Sequence, residues 1–303
     1  MNAFKQANII RDVTEIWNMT KVALVTGSSS GIGYQTSLLL ARNQIATYAS
    51  MRNLKKGDDL RKIIIDEKIH LKVIQLDVDD DKSVINAVDT IIEENGEIDI
   101  LVNNAGFDMF GPLEDLTIDE IKAQFETNFF GLIRATKAVI PTMRKQHSGT
   151  IVNISSLGGR IGLMPFLTAY HASKFAVEGF TESLRQELAE FNIDVVLIEP
   201  GAIRSNFIDN SKNAKNYNPQ ISPYSKTIQK IFEGFETIMG NSSLPEDVAE
   251  TILKAINSSN PDIRYPVGKD AEFALKVRAQ LSDKEMEKWS RESYLDKKGF
   301  IRE

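Results

Sequence analysis

Between residues 21 and about 197 the chain alternates short apolar runs with longer stretches of helical period. Val22, Ala23, Leu24 and Val25 form an unbroken apolar run, as expected of a strand buried on both faces. Similar runs at 45–50, 71–76, 98–102, 150–154 and 193–198 predict further strands. The segments between them, 34–42, 60–67, 83–94, 118–143 and 172–190, read as helices. In 83–94 the apolar positions Val84, Ile85, Val88, Ile91 and Ile92 recur at helical spacing, and 118–143 is long enough for a bent or extended helix. This βα rhythm predicts an α/β fold, a single doubly wound Rossmann-type domain of about seven mostly parallel strands with helices on both faces.

After Pro200 the pattern changes. Residues 206–223 are polar and aperiodic and read as a long loop, the kind that in a compact domain is functional or mobile. Residues 224–239 and 246–257 read as helices, the second introduced by Pro245, and Tyr224 with the helix after it is expected to form a lid. Residues 263–267 (IRYPV) predict a last strand at a sheet edge, because Pro266 has no N–H to donate. From 270 onward the chain is charged and helical and is expected on the surface. The predicted organisation is an N-terminal extension (1–18), a catalytic domain (19–269) that includes the substrate loop 206–223, and a C-terminal helical extension (270–303). In the first segment Arg11, Asp12 and Glu15 interrupt any signal-peptide core. Ile9, Val13, Ile16 and Trp17 stripe a short helix, read as a loosely docked extension or as residues upstream of a start at Met19, with a membrane-surface helix as the alternative.

Composition narrows the function. The 303 residues are 42% hydrophobic and 26% charged, with a formal net charge of -6, which argues against nucleic acid or an anionic membrane as the main partner. Cysteine is absent, so thiolate chemistry is excluded, and a reducing, cytoplasmic location is expected. His70, His147 and His171 lack metal-ligand spacing, so no metal site is predicted. No apolar run approaches the roughly 20 residues that span a bilayer.

The candidate chemistry starts at Gly27, where the first strand ends. The run T-G-S-S-S-G-I-G carries the chain through Ser29 and Ser30 to Gly31, Ile32 and Gly33 at the start of a helix. Unpaired N–H groups and the helix dipole favour an anion there, and glycines let the backbone approach a pyrophosphate. Asn103-Asn104-Ala105-Gly106 follows the fourth strand, Ser155 and Ser156 end the fifth, Tyr170-His171-Ala172-Ser173-Lys174 opens the next helix, and Pro200-Gly201 ends the sixth. All lie where open α/β sheets bind ligands. Five such motifs in this order resemble the short-chain dehydrogenase/reductase family over roughly residues 19–267. YASMRN, NISSLGG and YHASKFAVEGF look most like its hydroxysteroid and retinol dehydrogenases.

Tyr170 and Lys174 share one face of a helix. A phenol has a pKa of about 10, and a nearby ammonium favours its phenolate, so the pair suits proton exchange with a carbonyl or alcohol. The resemblance implies that Lys174 also binds the nicotinamide ribose, and that Ser156 hydrogen-bonds the substrate oxygen. Ser156 precedes Tyr170 by fourteen positions, one more than is usual in the family, so Ser155 is kept as the fallback. Asn128, in TNFFG, matches the family's fourth catalytic residue, whose side chain and local helix distortion hold a water leading from Lys174 to solvent.

For the cofactor, the second strand ends at Met51-Arg52 with no carboxylate to accept from a ribose hydroxyl. The Arg52 guanidinium suits a 2′-phosphate, with Ser28 and Ser29 as helpers, so NADP is favoured over NAD. By resemblance Asp77 and Val78 contact the adenine, Asn104, Ala105 and Gly106 flank the cofactor, and Ile203 with Ser205 covers the carboxamide beyond Pro200 and Gly201. Phe107, Met109, Phe110, Leu157, Leu163, Met164, Phe166 and Phe207 are candidate pocket residues, Phe107, Leu157 and Phe166 foremost, alongside Ser156 and Tyr170. Such a pocket suits a lipophilic, steroid-, retinoid- or acyl-like carbonyl or alcohol. The alternatives are a 3-ketoacyl reductase of fatty-acid synthesis and a non-catalytic dinucleotide sensor or scaffold. The resemblance also implies a homodimer or homotetramer through 118–143 and 172–190, with Phe175, Val177 and Phe180 as contacts.

Overall fold

Along β1 (Val22–Val25), Val22 and Leu24 pack into one layer of helices and Ala23 and Val25 into the other. This is the period-two division that a sheet covered on both faces requires. The computed structural model describes residues 21–205, 211–240 and 242–295. The expectations for residues 1–18, for Phe207 and for 296–303 lie outside the described residues.

The remaining strands are β2 (Ala46–Met51), β3 (Leu71–Gln75), β4 (Ile100–Asn103), β5 (Met109–Phe110), β6 (Gly149–Ile154), β7 (Ile193–Pro200), β8 (Lys212–Asn213) and β9 (Arg264–Val267). Seven of them form a parallel sheet in the order β3-β2-β1-β4-β6-β7-β9. The chain winds outward from β1 in one direction and resumes at β4 in the other, which opens a crevice at the strands' C-terminal ends. One face carries helices Asp81–Asn95, Gly131–Gln146 and Thr168–Leu188, and the other carries Gly31–Arg42 and Pro245–Ile256. As expected from its proline, β9 is at an edge, with Pro266 opposite Glu199 of β7.

Four features differ from the sequence reading. The segment 118–143 is two helices, Ile118–Phe125 and Gly131–Gln146, joined by a π turn at Glu126–Phe130. Such a turn is a device of functional sites, and here it holds Asn128. The loop after 206 is partly anchored, because β8 pairs in parallel with β5. There Gly111 has φ +152, and a Cβ on it would lie 2.6 Å from Ala214 Cβ. The helix of the YHASK motif begins at Thr168, so Tyr170 stands in its first turn.

The fourth difference is the tail. Helix Lys269–Gln280 is not a surface appendage: Asp270, Ala271 and Ala274 are buried, and with Met286 of helix Asp283–Leu295 the two alanines pack on Leu157, Ile161 and Leu163. Val177, an expected subunit contact, is also internal, buried with Leu132 and Leu197.

Candidate active site

The glycine-rich turn is closed by contacts that only glycine permits. Gly27 and Gly31 take φ +69 and +60, and a Cβ on Gly33 would lie 2.4 Å from Asn104 Nδ2. Asn104 Nδ2 donates to the Thr26 carbonyl at 2.8 Å and the Gly27 carbonyl at 3.1 Å, while Thr26 Oγ1 accepts from the Asn104 and Ala105 amides at 3.0 Å each. Helix Gly31–Arg42 starts without a side-chain cap or an acidic residue in its first turn, leaving its amides and dipole for an anion. Ser28, expected as a phosphate helper, is instead fully buried and donates to the Val25 carbonyl at 2.9 Å. Ser29 does line the cleft.

A cleft of about 1030 Å³ runs from this turn across the ends of β2, β4, β6 and β7. At one end it meets Arg52, Lys56, Asp77 and Val78. The Arg52 guanidinium is largely exposed and its ion pair to Asp79 is long, at 4.0 Å, so it is available to a phosphate. The turn, the open helix start and this cation together fit a dinucleotide. Pro200, Gly201, Ala202, Ile203 and Ser205 form the opposite rim, where Ser205 Cβ would lie 3.5 Å from a Cβ on Gly31. Behind that rim stands Asp270, which accepts from the Ala202 amide at 2.7 Å and would be 2.3 Å from a Cβ on Gly201. Sequence reasoning missed Asp270, since nothing in a charged helix start marks it as buried.

At the centre of the cleft lie Ser156, Tyr170 and Lys174. Ser156 Oγ accepts from the Gly158 amide at 3.0 Å and hydrogen-bonds the Tyr170 phenol, while Ser155 is buried beside the Glu178 carboxyl. Strand alternation thus puts the second serine of the pair at the phenol. The phenol is pushed up to about 12, chiefly by burial, with the Ser156 bond pulling down and the Asp108 charge pushing up. The downward shift expected from Lys174 does not prevail. Lys174 is itself desolvated, which lowers its ammonium to about 8, and it donates to the Ile154 carbonyl at 2.8 Å. Glu178 faces it, beside the ion pairs of Arg264 with Glu178 and Glu199, at 3.1 Å each, and of Arg160 with Glu199 at 2.9 Å.

Asn128 is buried, and its amide is committed to protein. Oδ1 accepts from the Phe107 amide at 3.0 Å, and Nδ2 donates to the Phe107 carbonyl at 2.9 Å and to Ser173 Oγ at 3.2 Å. Both donors are therefore taken, and the side chain clamps the loop after β4 instead of offering a donor to a water. Gln124 does the same beside it, accepting from the Met109 amide at 3.0 Å.

Of the candidate pocket residues, Phe107, Phe110, Leu157, Leu163 and Met164 line the cleft, joined by Phe232. Met109 does not. It is buried against Leu116, Ala169 and Ala214, because alternation in β5 turns it away from Phe110. Phe166 stands behind the wall, its ring 6.1 Å from Phe110 and 5.6 Å from Tyr224. Its backbone is in the left-handed region, with φ +69. Phe110 in turn meets Phe232 of helix Ser225–Gly240 at 5.3 Å, so this helix does cover the site.

Strand order, glycine turn and serine–tyrosine–lysine cluster together define an NAD(P)-type oxidoreductase of the Rossmann class. The family described as short chain dehydrogenase matches residues 21–216, and the chain belongs to it. Retinol dehydrogenase 8 of Bos taurus is 37% identical over 254 residues, covering 80% of each chain. A 3-ketodihydrosphingosine reductase of Bacteroides thetaiotaomicron is 37% identical over 248 residues, covering 82% of this chain and 88% of its own. Among solved structures, an actinorhodin polyketide ketoreductase variant with NADPH superposes with a TM-score of 0.72 at 27% identity, covering 83% of this chain and 97% of that one. Among the described residues, no helix is long and apolar enough to cross a membrane.

Proposed function

We infer that the chain is an NADPH-dependent reductase of lipophilic ketones or aldehydes, working in reverse as an alcohol dehydrogenase. The observation that carries this reading is the Ser156–Tyr170 hydrogen bond in a cleft that suits a dinucleotide at one end and is also lined by Phe107, Phe110, Leu157, Leu163 and Phe232. A phenol near 12 keeps its proton at neutral pH, so Tyr170 is poised as the donor to a carbonyl oxygen. Ser156, fixed by the Gly158 amide, holds that oxygen and stabilises the charge developing on it. Lys174, tied to the end of β6, presents a buried cation to the cofactor's ribose and to the phenol. The bound reduced nicotinamide supplies the hydride.

Arg52, with Lys56 on the same rim, supports NADP over NAD. A structural relative solved with NADPH and relatives named for retinol and ketodihydrosphingosine chemistry support a lipophilic substrate. The reading places the chain in the cytoplasm as a homodimer or homotetramer. Its test is cofactor absorbance with NADPH and NADH against steroids, retinoids, aromatic and aliphatic ketones, aldehydes and a ketoacyl thioester. Turnover of apolar carbonyls with NADPH supports it; tight NADPH binding without turnover of any of them would point to a sensor or scaffold.

A further inference from the structure

His171 stands next to Tyr170, lines the cleft, and has no role in the transfer of hydride or proton. Both of its ring nitrogens face carbonyl oxygens. Nδ1 lies 2.8 Å from that of Gly158, and Nε2 lies 3.1 Å from that of Met164. A carbonyl oxygen only accepts, and a neutral imidazole carries one N–H and one lone pair. The neutral ring therefore satisfies one of the two carbonyls and sets a lone pair against the other. Only the imidazolium donates to both.

Both carbonyls belong to the segment that walls the cleft. The Gly158 amide donates to Ser156 Oγ at 3.0 Å, and a Cβ on Gly158 would lie 2.7 Å from His171 Nδ1, so the ring's close approach depends on glycine there. Leu163 and Met164 line the cleft. The segment is anchored on either side of Met164. Leu157, Ile161 and Leu163 pack on the last two helices, and the Phe166 carbonyl accepts from the Gly111 amide at 2.9 Å. Between these anchors the Met164 carbonyl meets the longer of the two imidazole contacts.

Burial holds the His171 pKa below its ordinary value, against the pull of the two carbonyls. On its own helix the titratable neighbours are Tyr170, with ring centroids 5.9 Å apart, and Lys174, which donates to the Ile154 carbonyl. On the facing segment Arg160 is paired with Glu199. Within the cleft the Asp108 carboxyl takes a bond from the Ser211 hydroxyl, and Asp270 accepts from the Ala202 amide. Among the described residues no carboxylate forms an ion pair with the ring, so the two carbonyls receive its charge.

We propose that His171 is a specificity-determining residue that latches Met164 into the cleft wall as an imidazolium and releases it as a neutral ring. The remaining N–H stays on the Gly158 carbonyl, the shorter contact, so Ser156 keeps its place while the Met164 wall yields. At a pH below the ring's pKa the wall is fixed and discriminates against bulky ketones; above it, bulky ketones gain.

The kinetic half of the test rests on the carbonyl-reductase reading, and the spectroscopic half does not. The chain has three histidines and eight methionines, so carbon-13 at histidine Cε1 and methionine Cε gives few NMR signals, assigned with His171→Gln and Met164→Leu. Between about pH 5 and 8, where histidines titrate, the Met164 methyl should shift with the His171 midpoint. In His171→Gln, which has no titrating ring, that shift should be lost. In parallel, kcat/KM with NADPH is measured against pH for acetophenone and benzophenone, two uncharged ketones that differ in bulk. Both take the same hydride and proton, so the ratio of the two cancels the titration of the chemistry. The benzophenone-to-acetophenone ratio should rise about tenfold through the His171 midpoint, the low end of what the fit of one methylene is worth. In His171→Gln it should be flat. NADPH binding followed by fluorescence checks the fold, and His171→Asn replaces the glutamine variant if that variant does not bind. A Met164 methyl that ignores the His171 midpoint overturns the inference, as does a ratio that is flat in the wild type or titrates alike in the variant. No NADPH oxidation with these ketones or with the wider panel, while the two NMR midpoints coincide, overturns the carbonyl-reductase reading instead.

Discussion

The Lys174 ammonium donates to the Ile154 carbonyl at 2.8 Å and stands 5.9 Å from the centroid of the Tyr170 ring. The lysine is therefore moored to the end of β6, and its effect on the phenol acts through space. A carbonyl acceptor satisfies one of its three protons, which leaves two to address a cofactor. The phenol remains a proton donor, as the reductive direction needs.

Tyr170→Phe removes the transferable proton and keeps the ring. Turnover should fall by about 10²–10⁴-fold, the usual contribution of a positioned general acid. NADPH affinity, measured by fluorescence titration, should change less than about threefold, because the change removes no charge. Retention of most activity would take Tyr170 out of the acid role.

Lys174 also gives stability a sign with pH. Its folded-state pKa, lowered to about 8, lies below the unfolded value of about 10.4, so the unfolded chain binds more protons between them. Stability should rise over that interval, by on the order of 3 kcal/mol at most. Tyr170, raised to about 12 when folded, acts oppositely above about 10, so the clean window is pH 8 to about 10. Urea unfolding at both ends should show the rise in wild type and a flatter profile in Lys174→Met. Identical slopes would mean that the lysine is not desolvated.

Arg52→Ala should weaken NADPH binding about ten- to a hundredfold and NADH binding little, since a hydrogen bond to a charged group contributes about 1.5–3 kcal/mol. Adding Met51→Asp should invert the preference by repelling the phosphate and offering the ribose an acceptor. Competitive titration of both cofactors decides it; equal losses would make Arg52 a bystander.

The helices expected at a subunit interface leave Phe130 and Phe175 each 46% exposed and Ile118 66% exposed. Light scattering at micromolar concentration should give two or four copies, and Phe175→Arg should shift the population toward monomer. A wild-type monomer would remove the interface.

Motif residues were legible because each lies at a strand's end, where a short local pattern fixes both the element and its direction. Gly27, Asn104, Ser156 and Tyr170 all belong to such junctions. The residues missed depend on contacts between distant segments. Asp270 shows only as a charge at a helix start, yet the β7 turn closes over it. Lys269–Gln280 buries Ala271 and Ala274, side chains too small to make an apolar stripe. Met109 and Phe110 are neighbours of like hydrophobicity, and only the pairing of β5 with β8 separates core from cleft. The commitment of Asn128 to Phe107 and Ser173 follows from a π turn that helical periodicity does not register.

The cluster joining Leu157, Ile161 and Leu163 to Ala271, Ala274 and Met286 has a consequence for how this enzyme could diversify. The cleft wall on that side is a thin sheet of loop whose back rests on the last two helices. Exchanges at partly buried Leu275, Val277 or Trp289, which touch neither hydride nor proton, would tilt that wall and reshape what it admits. Selectivity can therefore drift through residues 269–295 while the reaction chemistry is inherited intact.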